Sequence, residues 1–143
     1  MEWGPRVGCR GELVVVMKGR KPPFASGVLA EDYSPLFEYW RVARERGRED
    51  LVEASMLRED DYSYLRELVG SGGLSVDVLM EKLSKRFESR VDGDVAVEAF
   101  RRSGISMDRD LAKRRIASLI AAWLLEAGES WGLLKLRFSW TGS

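Results

Sequence analysis

The segment that most limits the possible folds is Ile116-Ala117-Ser118-Leu119-Ile120-Ala121-Ala122-Trp123-Leu124-Leu125. As a helix it is apolar nearly all round. Such a helix must be covered on most sides, by the chain's own core or by another subunit. It is no membrane span: the stretch from Ile116 to Ala127 is interrupted by Ser118 and Glu126 and is short of the roughly 20 residues that crossing needs. The chain has 143 residues, about one domain. A core at this length buries roughly two-thirds of the unfolded chain's surface. We therefore expect a single packed domain over residues 1–143. If a second subunit supplies the cover, as in a homo-oligomer (dimer or tetramer), this helix is the candidate surface. Met1 to Arg6 carries no charged stretch leading into an apolar one, so no signal peptide is read and a soluble, cytoplasmic protein is expected.

Local signals predict an α+β class. Residues 11–18 are a β-branched run and read as a strand. Pro22-Pro23 breaks it, and Phe24 to Ala30 returns as a short second strand, giving a hairpin with a basic tip. Ser34-Pro35 opens a helix with Ser34 as its cap, running to about Arg46 and closed by Gly47. Asp50–Leu57 and Asp61–Val69 read as short helices with acidic first turns. Ser75 caps a helix in which Val76, Leu79, Met80, Leu83 and Phe87 recur at helical spacing. Asp94 caps another, ending at Gly104. Ser106 or Asp108 opens the apolar helix, closed by Gly128. Leu134, Leu136, Phe138 and Trp140 alternate with Lys135, Arg137 and Ser139, a half-buried strand. The expected architecture is a small antiparallel sheet, built from the N-terminal hairpin and the C-terminal strand, packed against several helices.

Missing residue types exclude much chemistry. The chain has no His, Asn or Gln and a single Cys, Cys9. No Ser-His-Asp or Cys-His catalytic group can form, and no His site for a metal. A lone Cys makes neither an internal disulfide nor a Cys-rich zinc site. Absence of thermolabile amides beside 32% charged residues fits a thermophile's protein. Glu59-Asp60-Asp61 and Asp92-x-Asp94 could hold Mg²⁺ in a nuclease, but a helix start and a turn cap explain them better. Gly70-Ser71-Gly72-Gly73 lacks the Lys-Ser/Thr of a phosphate loop. The expectation is a non-enzymatic protein with no cofactor and no metal.

The charge is zero overall but unevenly spread. Residues 1–48 carry +3, residues 49–99 carry −7 and residues 100–143 carry +4. The basic thirds hold the predicted strands and all five Trp. Cations interleaved with aromatic rings suit a single-stranded nucleic acid, since cations follow phosphates and rings stack on bases. The candidate rim is Arg10, Lys18, Arg20 and Lys21 from the hairpin, Arg41, Arg44 and Arg48 from the first helix, and Lys135 and Arg137 from the last strand. Phe24, Phe37, Trp131 and Trp140 are the stacking candidates. Leu36, Phe37, Trp40 and Ala43 read as one apolar face, and Trp40 and Trp123 read as core. Arg109, Lys113, Arg114 and Arg115 crowd the start of the last helix, where the helix dipole disfavours cations. A local rule broken without visible compensation often marks function; Asp108 and Asp110 offset part of the charge, so the cluster reads either as a solvated charged turn or as a phosphate patch.

The basic hairpin from Gly11 to Ala30, the helices after it, the many Trp and the Arg-bordered apolar face together resemble the ThermoDBP-type single-stranded-DNA-binding proteins of hyperthermophilic archaea and their shorter relatives. The resemblance spans about residues 3–140 and is one of organisation. It implies a sheet and helices around a cleft with an apolar floor and a basic rim, single-stranded DNA (or RNA) as partner, weak sequence preference and an oligomer. The family's founding type dimerises through a C-terminal leucine zipper, whereas this chain ends in Thr141-Gly142-Ser143. Two other functions fit the sequence. The order helix–turn–helix–strand from Asp94 to Trp140 suits a winged-helix-like duplex-DNA regulator. Zero net charge and the apolar helix suit an interaction subunit of a larger archaeal complex.

Overall fold

A computed structural model describes the backbone of residues 13–19, 33–72, 74–130 and 134–140, and the side chains of 33–72 and 74–129. The elements are β1 (Leu13–Gly19), α1 (Ser34–Glu45), α2 (Glu49–Ala54), α3 (Glu59–Gly70), α4 (Val76–Glu88), α5 (Gly93–Arg102), α6 (Arg109–Ser130) and β2 (Leu134–Trp140).

Short polar residues cap three of the six described helices. Ser75 Oγ accepts the Val78 N–H at 3.2 Å to open α4, and Asp108 accepts the Leu111 N–H at 2.8 Å to open α6. At α5 the cap is Asp92, two residues before the one expected. Its carboxylate accepts the N–H groups of Asp94 and Val95, and Asp94 is released to pair with Arg109 at 2.9 Å. Ser34 is likewise inside α1, whose N-cap is Tyr33 with no side-chain bond. Gly47, at φ 71°, reverses the chain after α1 so that the Arg48 N–H reaches the Ala43 carbonyl at 2.8 Å. The left-handed region is open to glycine without steric cost. Gly128 does not end α6, which continues to Ser130; one helical glycine costs only about 1 kcal/mol.

The apolar run of α6 is the axis of the core. Ile116, Ala117, Ile120, Ala121, Leu124 and Leu125 are fully buried. They form one cluster with Leu36, Tyr39 and Val42 of α1, Leu65 of α3, Leu79, Leu83 and Phe87 of α4, and Ala96 and Ala99 of α5. The chain's own helices therefore cover α6, and its apolar surface no longer requires a second subunit. Ser84 of α4 meets Ser118 of α6 at 3.2 Å, and residue 94 meets residue 109. As the chain advances from 84 to 94 it moves toward the start of α6, so α4 and α6 run antiparallel. Helix α1 lies along α5 in the same direction. The Tyr39 hydroxyl accepts the Asp92 N–H at 2.9 Å, and Arg102 pairs with Glu45 at 2.6 Å.

One buried charge ties α3 to α4. Asp61 is fully buried. Its carboxylate accepts the Arg58 N–H at 2.8 Å, Arg86 Nε at 2.9 Å, and two guanidinium bonds from Arg90 at 2.7 and 3.0 Å. Both arginines keep partial contact with water. Glu59-Asp60-Asp61 is thus a helix start clamped by arginines.

The expected α+β class with an antiparallel sheet is overturned. From Ser34 to Ser130 the described elements are all helices. The two strands pair in parallel, Leu13 with Leu134 through Gly19 with Trp140, and do not build an antiparallel sheet. Alternation and β-branching mark a strand locally but carry no information on its partner or direction. Parallel strands need a long crossover, and here the whole helical body lies between them. The second hairpin strand, Phe24 to Ala30, lies outside the described residues. Among the described residues no helix is long and apolar enough to cross a membrane.

Candidate nucleic-acid interface

Helix α1 divides its residues between two faces. Leu36, Tyr39, Val42 and Ala43 turn inward and are buried. Phe37, Trp40, Arg41 and Arg44 follow the i, i+3, i+4, i+7 spacing and form a second face. Phe37 therefore does not share the buried face of Leu36 and Ala43, as the sequence suggested. It is 55% exposed, one of two large apolar side chains so placed among the described residues.

Three rings run inward from Phe37. Its centroid is 5.5 Å from that of Trp40, at 51°. Trp40 meets Trp123 of α6 edge-on at 5.9 Å. Such tilted contacts match the ring quadrupoles. The Trp40 indole is fixed by its Nε1–H, which donates to Ser55 Oγ at 2.7 Å. Ser55 in turn donates to the Val52 carbonyl at 2.9 Å. An open groove of about 490 Å³ lies over this face, lined by Phe37, Trp40, Arg41, Arg44 and Glu45.

The groove's cations have carboxylate neighbours. Arg41 pairs with Glu38 at 3.2 Å and Arg44 with Glu49 at 3.3 Å. Arg102 holds Glu45 ionised, its carboxyl below the ordinary range, mainly through their hydrogen bonds. The arginines of these pairs are exposed, and exposed ion pairs are worth only about 0–1 kcal/mol. A phosphate can displace such a partner at small cost.

Of the residues expected to bind, Phe37, Arg41 and Arg44 are brought together. Arg48 sits at the start of α2 and is held by Asp50 at 2.9 Å, away from the groove lining. Lys18, Lys135, Arg137 and Trp140 lie on the paired strands, opposite Ser139, Val14, Val16 and Gly19. Arg10, Arg20, Lys21, Phe24 and Trp131 lie outside the described residues. Trp40 and Trp123 pack against the core, as the sequence suggested, and at its half-buried edge they also belong to the ring series. The signal that could have placed Trp40 was its spacing from Phe37 and Arg44. The contact with Trp123 is between distant helices and has no local signal.

No family model, curated protein or solved structure matches this chain.

Proposed function

We propose that this chain is a non-enzymatic, sequence-tolerant binder of single-stranded nucleic acid, gripping it at the outer face of α1. The observation that carries this is the groove in which an exposed Phe37, backed by Trp40, lies beside Arg41 and Arg44. A base can stack on Phe37 while the flanking phosphates take the guanidinium groups. Every base has a π-face, so stacking of this kind tolerates any sequence. Absence of Asn and Gln also removes the side chains that read adenine.

The test is a titration with oligo-dT at two salt concentrations, read by tryptophan fluorescence. Trp40 lines the groove, and Trp123 senses it through their ring contact. Binding should weaken with salt in a log–log line whose slope counts the phosphates contacted. Phe37→Ala removes one stack, worth about 1–3 kcal/mol, or roughly 5- to 150-fold in affinity. No binding at micromolar protein in low salt would overturn the proposal. Competition by duplex DNA stronger than by single strands would instead favour the α5–turn–α6 unit as a groove-reading element.

A further inference from the structure

The groove accounts for the rings but leaves other cations unused. At the start of α6, Arg114 and Arg115 are exposed and have no ion-pair partner among the described residues, unlike Arg109 beside them. Cations there work against the helix dipole. Asp110 in the first turn offsets part of this charge, but among the described residues no ion pair joins it to Arg114 or Arg115.

Spacing along α6 links this cluster to the groove. Arg115, Leu119 and Trp123 stand at i, i+4 and i+8 and so share one face, with Arg115 about 12 Å from Trp123 along the axis. Leu119 and Trp123 are both partly exposed. Trp123 touches Trp40, and Trp40 touches Phe37. A line of side chains thus leads from the groove to Arg115. Glu126 lies on the same face beyond Trp123, so the opposite direction ends in a negative charge. Arg114 is one step of about 100° round the helix from Arg115, and Lys113 is on the far flank.

We propose that a bound single strand leaves the groove along this α6 face and places a phosphate on Arg115, with Arg114 beside it. This rests on the function proposed above and adds a second contact and a direction. Charge decides the occupant: an aromatic and aliphatic track ending in two guanidiniums with no ion pair among the described residues suits a polyanion that carries bases.

The experiment compares oligo-dT binding by the wild type, Arg115→Gln, Lys113→Gln and Phe37→Ala, across a salt series. Arg115→Gln should lower affinity severalfold and reduce the log–log salt slope by about one. Lys113→Gln removes the same charge from the same turn but off the path, and should change the slope much less. Shortening the oligonucleotide until it fills only the groove should erase the difference between wild type and Arg115→Gln. Equal losses from Lys113→Gln and Arg115→Gln would overturn the path in favour of diffuse attraction. An Arg115→Gln variant that binds as the wild type does, while Phe37→Ala binds poorly, would overturn the path and leave the groove standing. Failure of every protein to bind would remove both.

Discussion

Replacing Asp61 with Asn tests the most unusual stabilising element of the fold. The amide keeps the side chain's volume but removes its charge. Two guanidiniums, on Arg86 and Arg90, then lose the buried carboxylate they share, and the Arg58 N–H loses a charged acceptor. Breaking a buried ion pair by removing one partner costs about 3–5 kcal/mol. Here the side chains of Arg86 and Arg90 remain 25% and 14% exposed, so water recovers part of the loss. An expected cost is about 3 kcal/mol at pH 7. At this chain length that is about 10 °C in Tm. Urea unfolding at fixed pH gives the value directly, provided the slope m is unchanged.

The pH dependence supplies a sharper check. Burial works to raise the Asp61 carboxyl, but the hydrogen bonds from Arg90, from the Arg58 N–H and from Arg86 outweigh it and hold it below the ordinary carboxylate value. A depressed pKa means the folded state binds the proton less readily than the unfolded one. The stabilisation is therefore present above the unfolded carboxyl's pKa of about 4 and is lost as pH falls through the folded value. The stability gap between wild type and Asp61→Asn should be full at pH 7 and shrink in acid. A gap below about 1 kcal/mol at pH 7, or one that stays constant into acid, would refute the account of a buried, charge-assisted clamp.

Other substitutions separate stability from binding. Tyr39→Phe leaves the Asp92 N–H without the phenolic oxygen it now meets at 2.9 Å; urea unfolding should show a loss of about 1–2 kcal/mol. Leu124→Ala opens a cavity in a fully buried site and should cost about 2–5 kcal/mol by the same measurement. Gly104→Ala puts a β-carbon on a residue at φ 84°, at a cost of about 1–2 kcal/mol, seen as a lower Tm. Phe37→Ala, at an exposed position, should shift stability by no more than about 0.5 kcal/mol while weakening oligo-dT binding. A large fall in stability would place Phe37 in the core.

The helices were legible because their signals are local. The periodicity of Val76, Leu79, Leu83 and Phe87 is satisfied by burial of all four in α4, and Ser75 caps as its hydroxyl allows. Where two short polar residues competed, as at Asp92 and Asp94, composition could not choose; the N–H geometry of the first turn did. The candidate site was legible only within α1, where Phe37, Arg41 and Arg44 are a few residues apart. The distribution of charge along the sequence showed which segments were basic. It could not show that Arg41 and Arg44 would each form an ion pair while Arg114 and Arg115 would form none among the described residues.

The sequence by itself determined the helices of the body, the need to cover the run from Ile116 to Leu125, and the absence of histidine and amide chemistry. These depend on residue type and on spacing within a few turns. Tertiary structure decided who covers that run: α1, α3, α4 and α5 of the same chain, because their apolar faces converge on it. It also decided that the two strands pair in parallel, and that Phe37, Trp40 and Trp123 form one series of rings across two helices. Contacts between residues 40 and 123 depend on how helices dock, and docking is settled by the whole core at once.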